Sequence, residues 1–291
     1  MSRTFQGVLL QLAALALFVS MDSLLKILLT RYAVPQLMFV RFLFHTILVV
    51  VALRVSTGRV PFATRAPVLQ TLRSALLAAA NAAFSTALVY IPLADTTAVS
   101  FAAPVMTVAL AAFWLGEKVS ARRWLGVGLG LVGVCVVIRP PFLTGEPMHP
   151  AMLLPLITAC ANTAYTLLTR RLALIDNPYT TFIHTGIAAT VLTSLAQPFV
   201  WQTPAAWDWP LFVLLDVLGA AGHSLMVLAF ARAPASLLAP MSYTQLLWAG
   251  LAGVLIFGDW PDIWTLAGAV IIAAGGILVA APAGAKPARK G

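Results

Sequence analysis

Residues 92–138 recur 142 positions later in the same chain. The stretch PLADTTAVSFAAPVMTVALAAFWLGEKVSARRWLGVGLGLVGVCVVI reads as a tight turn, an apolar helix, a short charged turn and a glycine-rich apolar helix. Under the shift Pro92 meets Pro234, Ser100 meets Ser242, Gly116 meets Gly258, Glu117 meets Asp259, Gly126 meets Gly268 and Gly133 meets Gly275, with no gap. Such repetition constrains the fold before any motif does, because one supersecondary unit is used twice. Weaker correspondences extend it. An offset of 139 pairs Ser23 with Asn162 and Lys26 with Tyr165, 143 pairs Arg41 with His184, and 142 pairs Asn81 with His223.

Polarity decides what surrounds the repeats. Hydrophobic residues make up 61% of the 291 and charged residues 9%, against about 25% charged in soluble domains. A spanning helix needs about 20 mostly apolar residues. Ten such segments lie at 7–29, 35–55, 68–90, 95–115, 122–139, 149–170, 178–199, 210–232, 236–257 and 261–281. The expected fold is therefore an all-α integral membrane protein with ten transmembrane helices. Its two repeats would occupy 1–140 and 141–282, followed by a disordered cytoplasmic tail, 283–291. Five spans is an odd number, so the second copy must enter the membrane inverted. Inverted repeats are a transporter architecture, with the substrate near the midplane between the halves.

The net charge of +9 does not point to nucleic acid. Basic residues sit in short loops, where cytoplasmic lysine and arginine accumulate. With the N-terminus inside, fourteen of the 18 basic residues fall on the cytoplasmic side, Arg73, Lys118, Arg122, Arg123, Arg170 and Arg171 among them. Lys26, Arg31, Arg41 and Arg139 fall in the outer half. Both termini are thus expected in the cytoplasm, with Asp259 outside. Trp207 and Trp209 would flank the outer end of the eighth span as interfacial aromatics. The first apolar stretch contains Asp22 and Lys26 and no small-residue cleavage site, so it reads as a retained span. Cys135 and Cys160 lack metal-ligand spacing and read as small packing residues.

Polar groups inside spans are the candidate functional residues, because they are costly there and face a bundle interior or wet cavity. Asn81, Ser85, Asn162, Tyr165, His223, Tyr243, Gln245 and Trp248, with Ser100 and Phe101, are read as a polar and aromatic cavity at one depth. Asp22 and Lys26, at i and i+4, share a face near Arg41. They form either a structural ion cluster in which Arg41 pairs with Asp22, or a gate or substrate-carboxylate site. Gly126, Gly130 and Gly133 lie on one helix face, and Gly268, Gly275 and Gly276 repeat the pattern. Such residues let membrane helices approach closely. They predict a packed scaffold, with dimerisation as the alternative to a monomer. Pro104 and Pro155, read as lying inside spans, predict kinks. Glu117 reads as a helix cap or ion-pair partner at a helix terminus.

The string FWLGEKVSARRWLGVGLGLVGVCVV, and its second copy FGDWPDIWTLAGAVIIAAGGILV, resemble the signature of EamA-type carriers of the drug/metabolite transporter superfamily, with Asp259 where Glu is usual. The likeness spans nearly the whole chain and is greatest to bacterial exporters that accept aromatic amino acids. It implies a secondary transporter exporting amino acids and related small metabolites across the inner membrane by alternating access. The expected partners are a small-molecule substrate and membrane lipids, with no cofactor, metal or nucleic acid. The residues show no metal spacing, phosphate loop or Ser/His/Asp set, so an intramembrane enzyme or sensor is a remote alternative. A carrier of nucleotides, phosphate esters or other metabolites keeps the same fold, but a phosphate site calls for several cations deep in the cavity. Proton coupling could use Asp22, His184, Asp216 or His223.

Overall fold

A computed structural model describes residues 3–114, 119–140, 145, 147–234, 237–238 and 241–280. Gly116, Glu117 and the tail 283–291 lie outside the described residues. Twelve helices can be labelled among those described: α1 Arg3–Leu28, α2 Val34–Thr57, α3 Pro67–Tyr90, α4 Leu93–Ser100, α5 Ala103–Trp114, α6 Ala121–Ile138, α7 Leu154–Leu172, α8 Pro178–Ser194, α9 Gln197–Val200, α10 Trp209–Phe230, α11 Gln245–Ala252 and α12 Ile263–Ala280. No strand occurs among the described residues. Seven helical segments are long and apolar enough to cross a membrane, and Ser242–Phe257 and Ile263–Val279 are shorter apolar helices.

Prolines start these helices. Pro35, Pro67, Pro155, Pro178 and Pro210 all lie in first turns, where the missing N–H would have had no helical partner. This corrects the expectation for Pro155, which follows a 3₁₀ turn, Pro150–Leu153, and marks a helix entry rather than a mid-span kink. The fourth apolar segment does break, at Phe101–Ala102, and Pro104 lies in the first turn of α5 beyond it. In the second repeat the matching segment runs from a 3₁₀ turn, Ser242–Thr244, through α11 into a wider π turn, Gly253–Phe257. Gly258 closes it at φ +71°, a left-handed conformation that glycine adopts without a Cβ penalty.

The largest helix contacts pair α6 with α12, α1 with α10, α3 with α7 and α2 with α8. Under the repeat shift, α1 against α10 becomes α7 against α3, while the other two pairs map onto themselves. The α6–α12 seam is closest. Cβ atoms built on Gly126 and Gly133 would lie 2.6 and 2.8 Å from the carbonyl oxygens of Gly275 and Gly268. Tyr243 occupies the space beside Gly276.

The two ends of the bundle are held differently. At one end Lys26 pairs with Asp259 at 2.9 Å, Arg31 with Asp208 at 2.8 Å, and Arg139 with Asp262 at 2.6 Å. Arg139 also donates to Thr265, which hydrogen-bonds Asp95. At the other end Asp176, between α7 and α8, accepts from the Arg65 backbone N–H at 3.0 Å, the Thr64 hydroxyl at 2.5 Å and the Gln70 amide at 2.8 Å. The Arg65 N–H and the Thr64 hydroxyl hold the Asp176 carboxyl below its ordinary value of 3.8. A depressed folded-state pKa gives stability that is present above the unfolded value and lost as pH falls through the folded one. Asp176→Ala should therefore cost about 1 kcal/mol near neutral pH, the scale of a water-exposed hydrogen-bonded clasp. The difference in thermal midpoint should shrink as pH drops below 3.8. A gap that persists unchanged in acid would remove the clasp from the account.

Candidate functional site

One cavity of about 310 Å³ lies inside the bundle, at the lower limit of small-molecule sites, roughly 300–1,000 Å³. Six helices contribute to its wall: α1 with Asp22; α3 with Ala80, Asn81 and Phe84; α4 and the break after it with Thr97, Ser100 and Phe101; α5 with Pro104; α7 with Thr158 and Asn162; α11 with Gln245. The broken fourth segment matters here, because ending α4 at Ser100 frees the chain to turn Phe101 and Pro104 onto the wall. Thr97 is buried with its hydroxyl oxygen unpartnered.

Arg41 reaches this wall from α2. Its guanidinium donates to Asn81 Oδ1 at 3.3 Å and approaches Met21 Sδ at 3.4 Å, while the Asn81 amide nitrogen donates to the Leu77 carbonyl. Asn81 is thereby fixed with a cation behind its oxygen. Of the two alternatives for this cluster, the one in which Arg41 pairs with Asp22 is not seen: no such ion pair occurs among the described residues, and Arg41 is spent on Asn81 and Met21. Lys26 turns away from Asp22 to Asp259, with its ammonium 4.6 Å from the Phe257 ring centre.

Of the residues singled out in the sequence, Asn81, Phe101, Asn162, Gln245, Ser100 and Asp22 line the cavity together. Five lie elsewhere. Ser85 is fully buried one turn along α3, facing Met38 Sδ. His223 sets its ring edge-on to Phe18 at 4.8 Å. Tyr243 is buried behind Phe101, ring centres 5.3 Å apart, so it backs the wall rather than forming it. Trp248 is on α11, 36% exposed and outside the lining.

Tyr165 engages Arg73. That arginine, expected among cytoplasmic basic residues, lies in the second turn of α3 and is 2% exposed. Its guanidinium donates to Thr169 Oγ1 at 2.6 Å, Thr185 Oγ1 at 2.5 Å and the Tyr165 hydroxyl at 2.6 Å. The guanidinium carbon stands 4.3 Å from the Tyr165 ring centre. Arg73 precedes Asn81 by two helical turns, about 12 Å, so this latch joins α3, α7 and α8 beneath the cavity. The sequence offered one signal for it, an arginine with apolar neighbours inside a span. Thr97, Thr158, Ala80 and Phe84 carry no such signal.

The sequence model of the EamA-like transporter family matches residues 5–139 and 149–281. An S-adenosylmethionine uptake transporter of Rickettsia bellii is 29% identical over 254 residues, 86% of this chain and 85% of that one. A riboflavin transporter of Rhizobium johnstonii is 26% identical over 223 residues, 76% of this chain and 73% of that one. A solved crystal structure superposes with a TM-score of 0.63 at 20% identity, covering 94% of this chain and 95% of the other, a likeness of fold.

Proposed function

The chain belongs to the EamA-like transporter family, a multi-pass membrane protein that carries a small metabolite, and we propose that its cargo is an amino acid or amino-acid-bearing metabolite, aromatic ones included, exported across a bacterial inner membrane. In this reading ten crossings form two inverted halves, 1–140 and 141–282, with the tail 283–291 and both termini in the cytoplasm. The basic-residue bias and the exchange of helix pairs under the repeat shift support it. Alternating access between the halves moves the cargo.

The observation that carries the cargo assignment is the composition of the cavity wall. An α-amino acid presents an ammonium, a carboxylate and a variable side chain. Asp22 complements the first, Asn81 backed by Arg41 sits where the second can be oriented, and Phe84 and Phe101 offer flat apolar faces to the third. Asn162 and Gln245 can donate or accept as required. S-adenosylmethionine, named for the Rickettsia relative, ends in the same zwitterion and carries a flat ring, so it belongs to this class. Phosphate esters fit less well, because the lining holds a carboxylate and neither lysine nor arginine.

The test is counterflow in vesicles containing only this protein, using labelled phenylalanine, S-adenosylmethionine, riboflavin and a nucleotide. Phenylalanine and S-adenosylmethionine should exchange and the nucleotide should not. Asn81→Leu removes an oriented polar contact, worth about 1–3 kcal/mol when its partner is stranded, so affinity should fall about 5- to 150-fold. Exchange of riboflavin or nucleotide alone would discard the amino-acid class. Export is tested separately: overproduction should lower intracellular phenylalanine, and increased uptake of a toxic analogue would reverse the direction.

A further inference from the structure

A second hollow, a groove of about 420 Å³, lies at the end of the bundle held by Asp176 and Arg73. It runs between Ala66, Pro67, Val68 and Leu69, at the start of α3, and Arg171 and Ile175, at and just beyond the end of α7. Its walls are apolar apart from one guanidinium. Val68 is 80% exposed, and Leu72, one turn further along the same face of α3, is 50% exposed. α3 is long and apolar enough to cross a membrane, so the groove opens onto a surface that lipid covers. The first turn of α3 borders it too. N–H groups there have no helical partner and favour an anion.

The charges around this groove do not balance. The chain that turns here, 54–65 and 170–177, carries five exposed arginines, Arg54, Arg59, Arg65, Arg170 and Arg171, against one acid, Asp176. Asp176 is already spent on the Thr64 hydroxyl, the Gln70 amide and the Arg65 N–H. Arg54 turns to the Gly58 carbonyl. No ion pair takes the Arg171 guanidinium among the described residues. A permanent cation beside apolar walls, where helices leave the bilayer, calls for an occupant with an anionic head and an apolar tail. A soluble phosphate has no use for Val68 and Leu72. An acidic protein segment has no tail to lay along a helix inside the bilayer. Basic pockets between helices at the membrane surface take anionic lipid headgroups.

We propose that this groove holds an anionic glycerophospholipid, its phosphate on Arg171 and an acyl chain along Val68 and Leu72, and that the lipid clamps the Arg73 end of the bundle shut. Arginine presents a planar fork that meets two phosphate oxygens at once. The clamping follows from position. Arg73 lies one turn beyond Leu69 on α3, and Thr169, which accepts from Arg73, lies two residues before Arg171 on α7. Latch and groove thus join the same two helices within about 6 Å along their axes. Opening this end parts Arg171 from Val68, so the lipid binds the closed form more tightly than the open one. A ligand shifts an equilibrium by that difference in affinity. The lipid acts in this way whichever metabolite is carried.

Two measurements on the full-length protein test this. Native mass spectrometry from detergent, with phosphatidylglycerol and phosphatidylcholine of identical chains, should show phosphatidylglycerol retained in preference. Arg171→Gln should weaken that retention about 5-fold, the scale of one basic residue at a lipid surface. Val68→Asn should weaken it too, with thermal unfolding recorded to verify that both variants are folded. Arg122→Gln, which removes the same charge from the first turn of α6, should leave it unchanged. In vesicles, Ser100→Cys on the cavity wall is labelled from the Arg73 end by a membrane-impermeant thiol reagent, in a chain whose Cys135 and Cys160 are alanine. Labelling should be about 5-fold slower with phosphatidylglycerol present than with phosphatidylcholine alone, and Arg171→Gln should erase the difference. Equal retention of the two lipids overturns the site, as does a loss that Arg122→Gln reproduces or Arg171→Gln fails to cause. Displacement of the lipid by an equal concentration of soluble glycerol phosphate would make the ligand a free phosphate and overturn the lipid. Selective retention with labelling indifferent to lipid overturns the clamp and leaves the site standing.

Discussion

Tyr165→Phe should open the Arg73 end of the bundle. The substitution keeps the ring over the guanidinium and removes one oxygen. Arg73 Nη2 then loses an acceptor 2.6 Å away inside a site that is 2% exposed. Thr169 and Thr185 remain, each also donating to a backbone carbonyl one turn earlier, so neither is free to turn toward the stranded N–H. A hydrogen bond involving a charged group is worth about 1.5–3 kcal/mol, and an uncompensated buried charge raises the cost of staying closed. Water can satisfy the same N–H once this end opens. The closed population should fall by about 10- to 150-fold relative to the open one. The readout is the labelling rate of Ser100→Cys, on the cavity wall, by a membrane-impermeant thiol reagent presented from the Arg73 end. Cys135 and Cys160 are replaced by alanine in both samples. Arg73→Met should act oppositely, because an apolar side chain gains no hydration when that end opens. Equal labelling rates in Tyr165→Phe, Arg73→Met and the parent would mean that the latch does not govern access.

The helices were legible because membrane spans are written in long apolar runs. The runs at 7–29, 35–55 and 68–90 return as α1, α2 and α3 with ends shifted by a few residues. The close α6–α12 approach was legible too, since small residues on one face have few other uses in a membrane. The cavity was only partly legible. Periodicity gives the face and rough depth of a residue but not the neighbour that a long side chain will meet. Tyr165 follows Asn162 by three residues on α7, yet Arg73 reaches across from α3 and takes its hydroxyl. His223 is the repeat counterpart of Asn81, but the symmetry relates backbones, and Phe18 stands beside it rather than cavity space. Thr158 and Ala80 were invisible because small wall residues look like packing residues. The break at Phe101 was hidden behind Pro104, the louder signal three residues later.

Gly126→Leu should be the most damaging single change on the α6–α12 seam. Its Cβ alone would stand 2.6 Å from the Gly275 carbonyl oxygen and 2.9 Å from Val279 Cγ2. The contact is reciprocal, since a Cβ on Gly275 would lie 2.6 Å from the Gly126 carbonyl oxygen and 2.7 Å from the Gly130 nitrogen. The obstacles are backbone atoms of two helices, which cannot rotate aside as a side chain can. The helices must separate, and the contacts of Gly133 with Gly268 and Ile272 go with them. Overpacking a well-filled interior costs about 1–3 kcal/mol, occasionally more, and a clash of backbone with backbone belongs at the upper end. Within a membrane the seam depends on close van der Waals packing, because lipid supplies no hydrophobic drive between helices. The effect should appear as lower yield of monodisperse protein and a lower thermal midpoint, while the fraction that folds retains its cargo affinity. Gly128→Ala, on the same helix with nothing within 4 Å of its built Cβ, provides the contrast. It should match or slightly exceed the parent in stability, since alanine is favoured over glycine by about 1 kcal/mol in a helix. If Gly126→Leu purifies and melts like Gly128→Ala, α6 and α12 do not meet at this separation, and the scaffold must be held together elsewhere.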